Sequence, residues 1–307
     1  MKIIVTGGAG FIGSHVVDEY VQAGHNVVVI DNLLTGSRKN LNPRAKFYDA
    51  NIRDRAVVDR IFKKERPEVV SHLAAIAEVI KSIRDPMPTL QTNVLGIVNL
   101  CLAFGAHGRG GAQRKFIFSS TGGAMYGAPR KLPATEKEDT ITLSPYGLSK
   151  HLGEEVLKFY ARQYNFPYFI FRYANVYGPR QSPKGEAGVI AIFGGLMKAG
   201  ARPIIFGDGT KARDYVYVGD VARANLLALR RGKNDVVNIG TGKLVTDRAI
   251  FDAVARASGF KGKPIYKPYR KGELYKISLD ARKAGRVLGW KPTMKFEEGV
   301  RTTVAAL

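Results

Sequence analysis

The chain has one cysteine, Cys101, in 307 residues. A single thiol excludes an intramolecular disulfide and any metal site built on several cysteines, so no metal is expected. Acidic residues are also scarce, 26 Asp and Glu against 48 Lys and Arg, for a net charge of +22. Such a balance raises the question of nucleic acid. The basic residues are nevertheless spread along the whole chain in short groups such as Lys63-Lys64 and Arg230-Arg231, with no basic tail and no nucleic-acid motif. The expectation is a dispersed surface charge, useful for steering a polyanionic small substrate, and no nucleic-acid partner. No apolar run approaches the roughly 20 residues that cross a bilayer, so no membrane partner is expected. Lys2 is followed only by Ile3-Ile4-Val5 before glycines begin, too short for the apolar region of a signal peptide, and the cytoplasm is the expected compartment. Internal repeats and low-complexity segments are missing as well.

What is present is a core-forming composition, 45% hydrophobic, arranged in a regular rhythm. Runs rich in β-branched residues (2–6, 27–30, 46–48, 68–73, 115–119, 168–173 and 236–240) read as strands. Helices are predicted from 14 to about 23, then over 54–64, 89–107 and 146–164. Continuous apolar strands alternating with helices imply an α/β fold with a doubly wound parallel sheet. After Tyr173 prolines and glycines thicken and the rhythm changes. Helices over 189–198 and 246–258, short strands at 203–206 and 265–266, and a final helix after Lys295 predict a smaller, discontinuous C-terminal lobe. The expected division is a dinucleotide-binding domain of 1–176 plus about 215–240, and a second lobe of about 177–214 plus 241–307.

Gly7, Gly10 and Gly13 fall at three-residue intervals between the first strand and the first helix. That context makes a glycine motif meaningful: the backbone can approach a pyrophosphate, whose charge is stabilised by the helix N-terminus. Asp31 closes the second strand, 18 residues after Gly13, where a carboxylate accepts hydrogen bonds from an adenosine ribose. The same charge repels a 2′-phosphate, so NAD is expected over NADP.

Tyr146 and Lys150 lie four residues apart, on one face of a predicted helix. A nearby cation favours the phenolate and lowers a tyrosine pKa, which suits removal of a proton from an alcohol. Alone the spacing is weak evidence; beside a dinucleotide loop and Ser119-Ser120-Thr121 it outlines an oxidoreductive site.

The glycine spacing together with Tyr146 and Lys150 resembles the extended short-chain dehydrogenase/reductase family, and within it the UDP-glucose (UDP-galactose) 4-epimerases and their nucleotide-sugar relatives. The resemblance runs nearly end to end. It includes Asp31-Asn32-Leu33, His72-Leu73-Ala74-Ala75, Asn93-Val94-Leu95-Gly96, Ser144-Pro145-Tyr146, Arg172-Tyr173-Ala174-Asn175, Arg213-Asp214-Tyr215 and Leu288-Gly289-Trp290.

The resemblance implies a Rossmann domain holding NAD and a lobe holding a UDP-hexose. Phe11 and Ile12 would lie along the pyrophosphate, and Asp31, Asn32, Thr35 and Gly36 around the adenosine ribose. Asn51 and Ile52 would meet adenine, an Asn standing where relatives carry Asp. Leu73, Ala74 and Ala75, with Asn93 nearby, would line the cofactor, and Ser119, Tyr146, Lys150 and Tyr173 complete that set. His72 is expected to be structural. Thr121, Tyr146 and Lys150 would be catalytic, with Thr121 and Tyr146 reaching the 4-hydroxyl of the sugar. Asn175, Val189, Ile204, Phe206, Arg213, Arg270 and Glu273 would hold the rest of the UDP-sugar, the two arginines as forks for the diphosphate.

The implied reaction is NAD-dependent 4-epimerisation of UDP-glucose and UDP-galactose through a transient 4-keto sugar. Gly122-Gly123 after Thr121 argues against the dehydratase and decarboxylase relatives, which carry acids there. Epimerisation of UDP-N-acetylhexosamines or UDP-hexuronates is the enzymatic alternative, left open by Ile277 and Glu78. A non-catalytic NAD-sensing protein is the remote one. The helices over 89–107 and 146–164 resemble the pair that forms a dimer interface in this family, so a homodimer active in galactose metabolism is expected.

Overall fold

A computed structural model describes residues 1–111, 113–184, 188–270 and 274–307. Seven parallel strands form its centre: β1 (Lys2–Thr6), β2 (Asn26–Asp31), β3 (Lys46–Asp49), β4 (Val69–His72), β5 (Lys115–Thr121), β6 (Tyr168–Tyr173) and β7 (Asp235–Ile239). Their order across the sheet is β7-β6-β5-β4-β1-β2-β3. The direction of winding reverses between β1 and β4, so the crevice beyond their carboxyl ends is where a ligand belongs.

The β-branched strands are buried on both faces because alternate side chains enter different cores. Ile3 and Val5 join Val16, Tyr20 and Val221 on one face, beneath the helices Phe11–Gln22 and Val218–Ala228. Ile4 joins Ile97, Leu100 and Phe104 on the other, beneath Arg55–Glu65, Pro86–His107 and Pro145–Gln163. A third cluster, with Ile190, Phe193, Ile250 and Val300, packs the helices Val189–Lys198, Asp247–Ser258 and Phe296–Ala305 together.

The first helix starts at Phe11, three residues before the predicted Ser14, because the glycine loop itself winds into it. Strand β5 runs on to Thr121 rather than stopping at Ser119. The helix Val218–Ala228 was not predicted; it follows a short strand, Tyr215–Tyr217, with no breaker between them.

The Pro86–His107 helix is 22 residues long, and by length and composition alone it could cross a bilayer. Here Ile97, Leu100, Cys101 and Phe104 are instead fully buried in the core. A π-helical turn at Gln91–Leu95 interrupts this helix and carries Asn93 inward.

Candidate active site

The glycine loop is shaped by close backbone approach. Gly7 has φ +75°, and a Cβ on it would come within 2.6 Å of the Ala74 amide nitrogen. A Cβ on Gly13 would collide with the carbonyl oxygen of Gly7. Gly10 differs, since a Cβ there would meet only the Gly7 oxygen, at 3.2 Å. The Asp31 carboxylate braces the loop by accepting the Ala9 amide at 3.0 Å and the Leu33 amide at 2.8 Å. Each oxygen keeps a further lone pair for a ligand.

A cleft of about 410 Å³ opens along the carboxyl ends of β1, β2, β4 and β5, a size suited to a cofactor. Its wall includes Gly7, Gly10, Phe11, Ile12 and Gly13 of the loop. Asp31, Asn32, Thr35, Asn51 and Ile52 line one end, and Leu73, Ala74, Ala75, Ser119, Tyr146, Lys150 and Tyr173 the other. Two predicted cofactor residues stand behind this wall. Gly36 packs on Ala9, where a Cβ would fall 2.9 Å from the Ala9 carbonyl carbon. Asn93 is buried and spends its amide on the protein: it accepts the Ile76 N–H at 2.9 Å and donates to the Ile76 carbonyl at 3.0 Å and Ser149 Oγ at 2.9 Å. The narrow glycine turn, the helix N-terminus and the acid at the end of β2 fit a dinucleotide with an unmodified adenosine ribose.

The chemical end of the cleft is built on the Pro145–Gln163 helix. Ser144 caps it by accepting the Gly147 amide, and Pro145 occupies the first helical position, where its missing N–H costs nothing. Tyr146 and Lys150 therefore begin a well-anchored helix and point the same way. The Tyr146 phenol interacts with the Thr121 side chain at the end of β5. The residue is partly buried, its hydroxyl sits deep in the protein, and burial pushes the phenol up to about 12 against the lowering effect of Thr121.

Lys150 is buried, which brings its ammonium down to about 8 while the Glu154 charge works to raise it. It donates to the Ser119 carbonyl at 2.8 Å. The phenol is thus governed here by desolvation and Thr121 rather than by the expected lowering from Lys150. His72 shares a 2.7 Å hydrogen bond with Thr6 Oγ1, and burial followed by the Lys150 charge holds it well below the usual range. It is a neutral residue joining β4 to β1.

One helical turn beyond Lys150, Glu154 is fully buried in a network that sequence reasoning missed. Its carboxylate accepts Arg172 Nε at 2.9 Å, Arg172 Nη2 at 2.7 Å and Ser120 Oγ at 2.6 Å. Arg172 also donates to the Tyr126 hydroxyl at 3.1 Å, which donates to Asn238 Oδ1 at 2.7 Å. The available signal was spacing: Tyr146, Lys150 and Glu154 fall at i, i+4 and i+8.

Among the described residues predicted for the UDP-sugar, those other than Tyr146 lie off this cleft wall. Asn175 lies near Gly123, on which a Cβ would fall 3.3 Å from Asn175 Oδ1, and its side chain acts to lower the Tyr215 phenol. Val189 begins its helix directly after Gly188. Ile204 and Phe206 flank buried Ile205 on a short strand, and the Arg270 guanidinium stacks 3.7 Å from the centre of the Phe206 ring. Arg213 donates to the Tyr275 carbonyl at 3.0 Å and to the Leu274 carbonyl. Glu273 lies outside the described residues.

The two glycines after Thr121 are not equivalent. A Cβ on Gly122 would collide with the methyls of Leu279, whereas one on Gly123 would press on Asn175 Oδ1 at 3.3 Å and reach Thr121 Oγ1 at 4.0 Å. Ile277 is only 2% exposed and belongs to the main core, and Glu78 pairs with Lys81 at 3.5 Å.

Residues 3–240 match the NAD dependent epimerase/dehydratase family. Among solved structures, the UDP-glucose 4-epimerase of Thermotoga maritima with UDP-glucose superposes with a TM-score of 0.96 at 50% identity, covering 100% of this chain and 98% of that one. The Thermus thermophilus UDP-glucose 4-epimerase complex with NAD gives 0.93 at 42% identity, covering 100% and 98%. The UDP-glucose 4-epimerase of Mycolicibacterium smegmatis is 40% identical over 310 residues, 99% of this chain and 97% of that one. With similarity at this level over its whole length, the chain belongs to the NAD dependent epimerase/dehydratase family.

Proposed function

We propose that the protein is an NAD-dependent 4-epimerase interconverting UDP-glucose and UDP-galactose. The observation that carries this reading is the Tyr146 phenol brought under the influence of the Thr121 side chain, with Lys150 on the same helix, at the end of a cleft that begins with a dinucleotide loop. NAD, when bound, supplies reversible hydride chemistry at C4 of the hexose. Tyr146 takes the proton of the 4-hydroxyl and returns it, and Thr121 orients the same oxygen. Protonated Lys150 is the chain's cation closest in sequence to that phenol and favours its ionised form. Gly123 puts no side chain between Thr121 and Asn175, which suits a hexose that must present both faces there.

In this reading the cofactor is held by the cleft-wall residues from Gly7 to Tyr173, and the UDP by the second lobe. Phe206 stacked with Arg270 offers a flat cationic platform, and Arg213 a second cation. That lobe is taken with the bounds proposed from the sequence, about 177–214 plus 241–307.

Leu95, Leu148, Leu152 and Phe159 are exposed on two neighbouring helices, which supports pairing with a second copy through that face. A homodimer working in galactose metabolism in the cytoplasm completes the proposal; light scattering on the purified protein and cell fractionation check the assembly and the compartment.

Side-by-side assay with UDP-galactose, UDP-N-acetylgalactosamine and UDP-galacturonate tests the substrate. UDP-galactose should turn over fastest, and preference for either other sugar would replace this reading. Tyr146→Phe should keep NAD bound and lower turnover by two or more orders of magnitude, as expected for loss of a general base.

A further inference from the structure

Tyr146 is gripped at both of its backbone polar groups. Its N–H donates to Ser82 Oγ at 3.1 Å, and its carbonyl accepts Ser149 Oγ at 2.7 Å. Ser82 lies on the short helix Val79–Arg84, just past the cleft-wall residues Ala75, Ile76 and Ala77. It is fully buried, and its hydroxyl proton goes to the Val79 carbonyl at 2.7 Å. Ser149 Oγ is held in turn by Asn93, which fastens both backbone groups of Ile76. The bonds therefore form a ring, Ile76 to Asn93 to Ser149 to Tyr146 to Ser82, closed by the chain from 82 back to 76.

The first turn of a helix leaves amides without partners inside the helix. In the Pro145–Gln163 helix, Pro145 has none to offer, and Ser144 serves Gly147 through its side chain and Leu148 through its carbonyl. The Tyr146 amide is the one served from outside the helix, and it is served by the segment that walls the cleft.

Resting on the proton-transfer role proposed for Tyr146, we infer that Ser82 is a positioning residue for that tyrosine. Its hydroxyl fixes the height of the Tyr146 backbone relative to the 75–77 wall, so that the phenol stays against Thr121. Misplacement of a reacting group by about 1 Å can cost on the order of 100-fold in rate.

The test compares two buried hydroxyl deletions in the holoenzyme. Thr303 Oγ1 donates to the Gly299 carbonyl at 2.7 Å in the Phe296–Ala305 helix, on an element that contributes nothing to the cleft wall. Ser82→Ala should lower kcat for UDP-galactose by about 10-fold or more with KM and bound NAD within about twofold, a split that marks a lost transition-state interaction. Thr303→Val should leave kcat within about twofold by the same reasoning. Ser82→Cys keeps the volume but offers a weak acceptor, and should follow Ser82→Ala if that variant folds poorly.

Deuterium uptake at the Tyr146 amide, read on peptides covering 144–148, should rise in the Ser82 variants and stay parental in Thr303→Val. This second reading needs no substrate, so an inactive parent would count against the proposed reaction and leave the Ser82 assignment to be decided by exchange. Parental kcat in the Ser82 variants of an active enzyme, or unchanged uptake at Tyr146, would overturn the assignment.

Discussion

The ammonium of Lys150 donates to the Ser119 carbonyl at 2.8 Å and lies 5.0 Å from the centre of the Phe118 ring. Both contacts belong to β5, the strand that ends in Thr121. The lysine thus ties the helix carrying Tyr146 to the strand carrying Thr121, and it does so as a buried cation whose charge is weakly held.

That weakness predicts a pH dependence of stability in protein freed of dinucleotide. Below about 8, folded and unfolded chains both hold the Lys150 proton; between about 8 and 10.5 only the unfolded chain does. Stability from this group therefore rises with pH across that window. Tyr146 acts in the opposite sense from 10.0 to about 12, where the folded chain alone keeps the phenolic proton. Denaturant midpoints measured against pH for the parent and Lys150→Met should differ by a term that climbs from about 8 to 10.5. Lys115, also brought down to about 8 by burial, cancels in that difference.

Removing the Thr121 hydroxyl tests the other end of the same contact. Thr121→Val should keep NAD and the fold while lowering epimerisation by roughly 10- to 1,000-fold, the range for a group that orients a proton transfer. Turnover within twofold of the parent would remove Thr121 from the mechanism.

The loop glycines predict opposite failures. Gly13→Ala drives a methyl into the Gly7 carbonyl, backbone against backbone, and should cost several kcal/mol, seen as a large fall in melting temperature. Gly10→Ala meets one oxygen at 3.2 Å and otherwise open space. It should melt close to the parent yet bind NAD at least about 10-fold more weakly, since the methyl stands where a pyrophosphate must approach. Equilibrium dialysis with NAD separates the two.

The Glu154–Arg172 pair predicts a non-additive cycle. Glu154→Leu alone leaves a buried guanidinium without its carboxylate and should destabilise by about 3–5 kcal/mol. Adding Arg172→Met should restore part of that loss, because both charges are then gone and their desolvation with them. Urea unfolding of Glu154→Leu, Arg172→Met and the double variant against the parent gives the coupling directly.

Local signals were the legible ones. The glycine loop, Asp31 at the end of β2 and the Tyr146–Lys150 spacing each depend on residues close in sequence, and each was readable before the fold was known. The parallel sheet was readable for a related reason, since strands buried on both faces carry unbroken apolar runs.

Contacts across elements were not readable. Arg172 reaches Glu154 from the neighbouring strand, and Ser82 reaches Tyr146 across 64 residues of chain. Motif likeness also says which residues cluster but not which way they face. Gly36 and Asn93 sit beside the cofactor residues in sequence, yet Gly36 packs on Ala9 and Asn93 turns its amide into the protein, and Gly122 makes room for Leu279.

The π-helical turn at Gln91–Leu95 lets one helix keep two orientations. Its later half aims Ile97, Leu100 and Phe104 at the sheet, while the turn aims Asn93 at Ile76. Each residue advances an α-helix by about 100°, so the extra residue of a π turn works as a phase shift between those halves. Deleting any one residue from the turn would erase the shift. The greasy half could keep its seat on the sheet, and the asparagine would rotate away from the wall it steadies. The single surplus residue is thus what allows a core helix to serve also as a strut of the cleft.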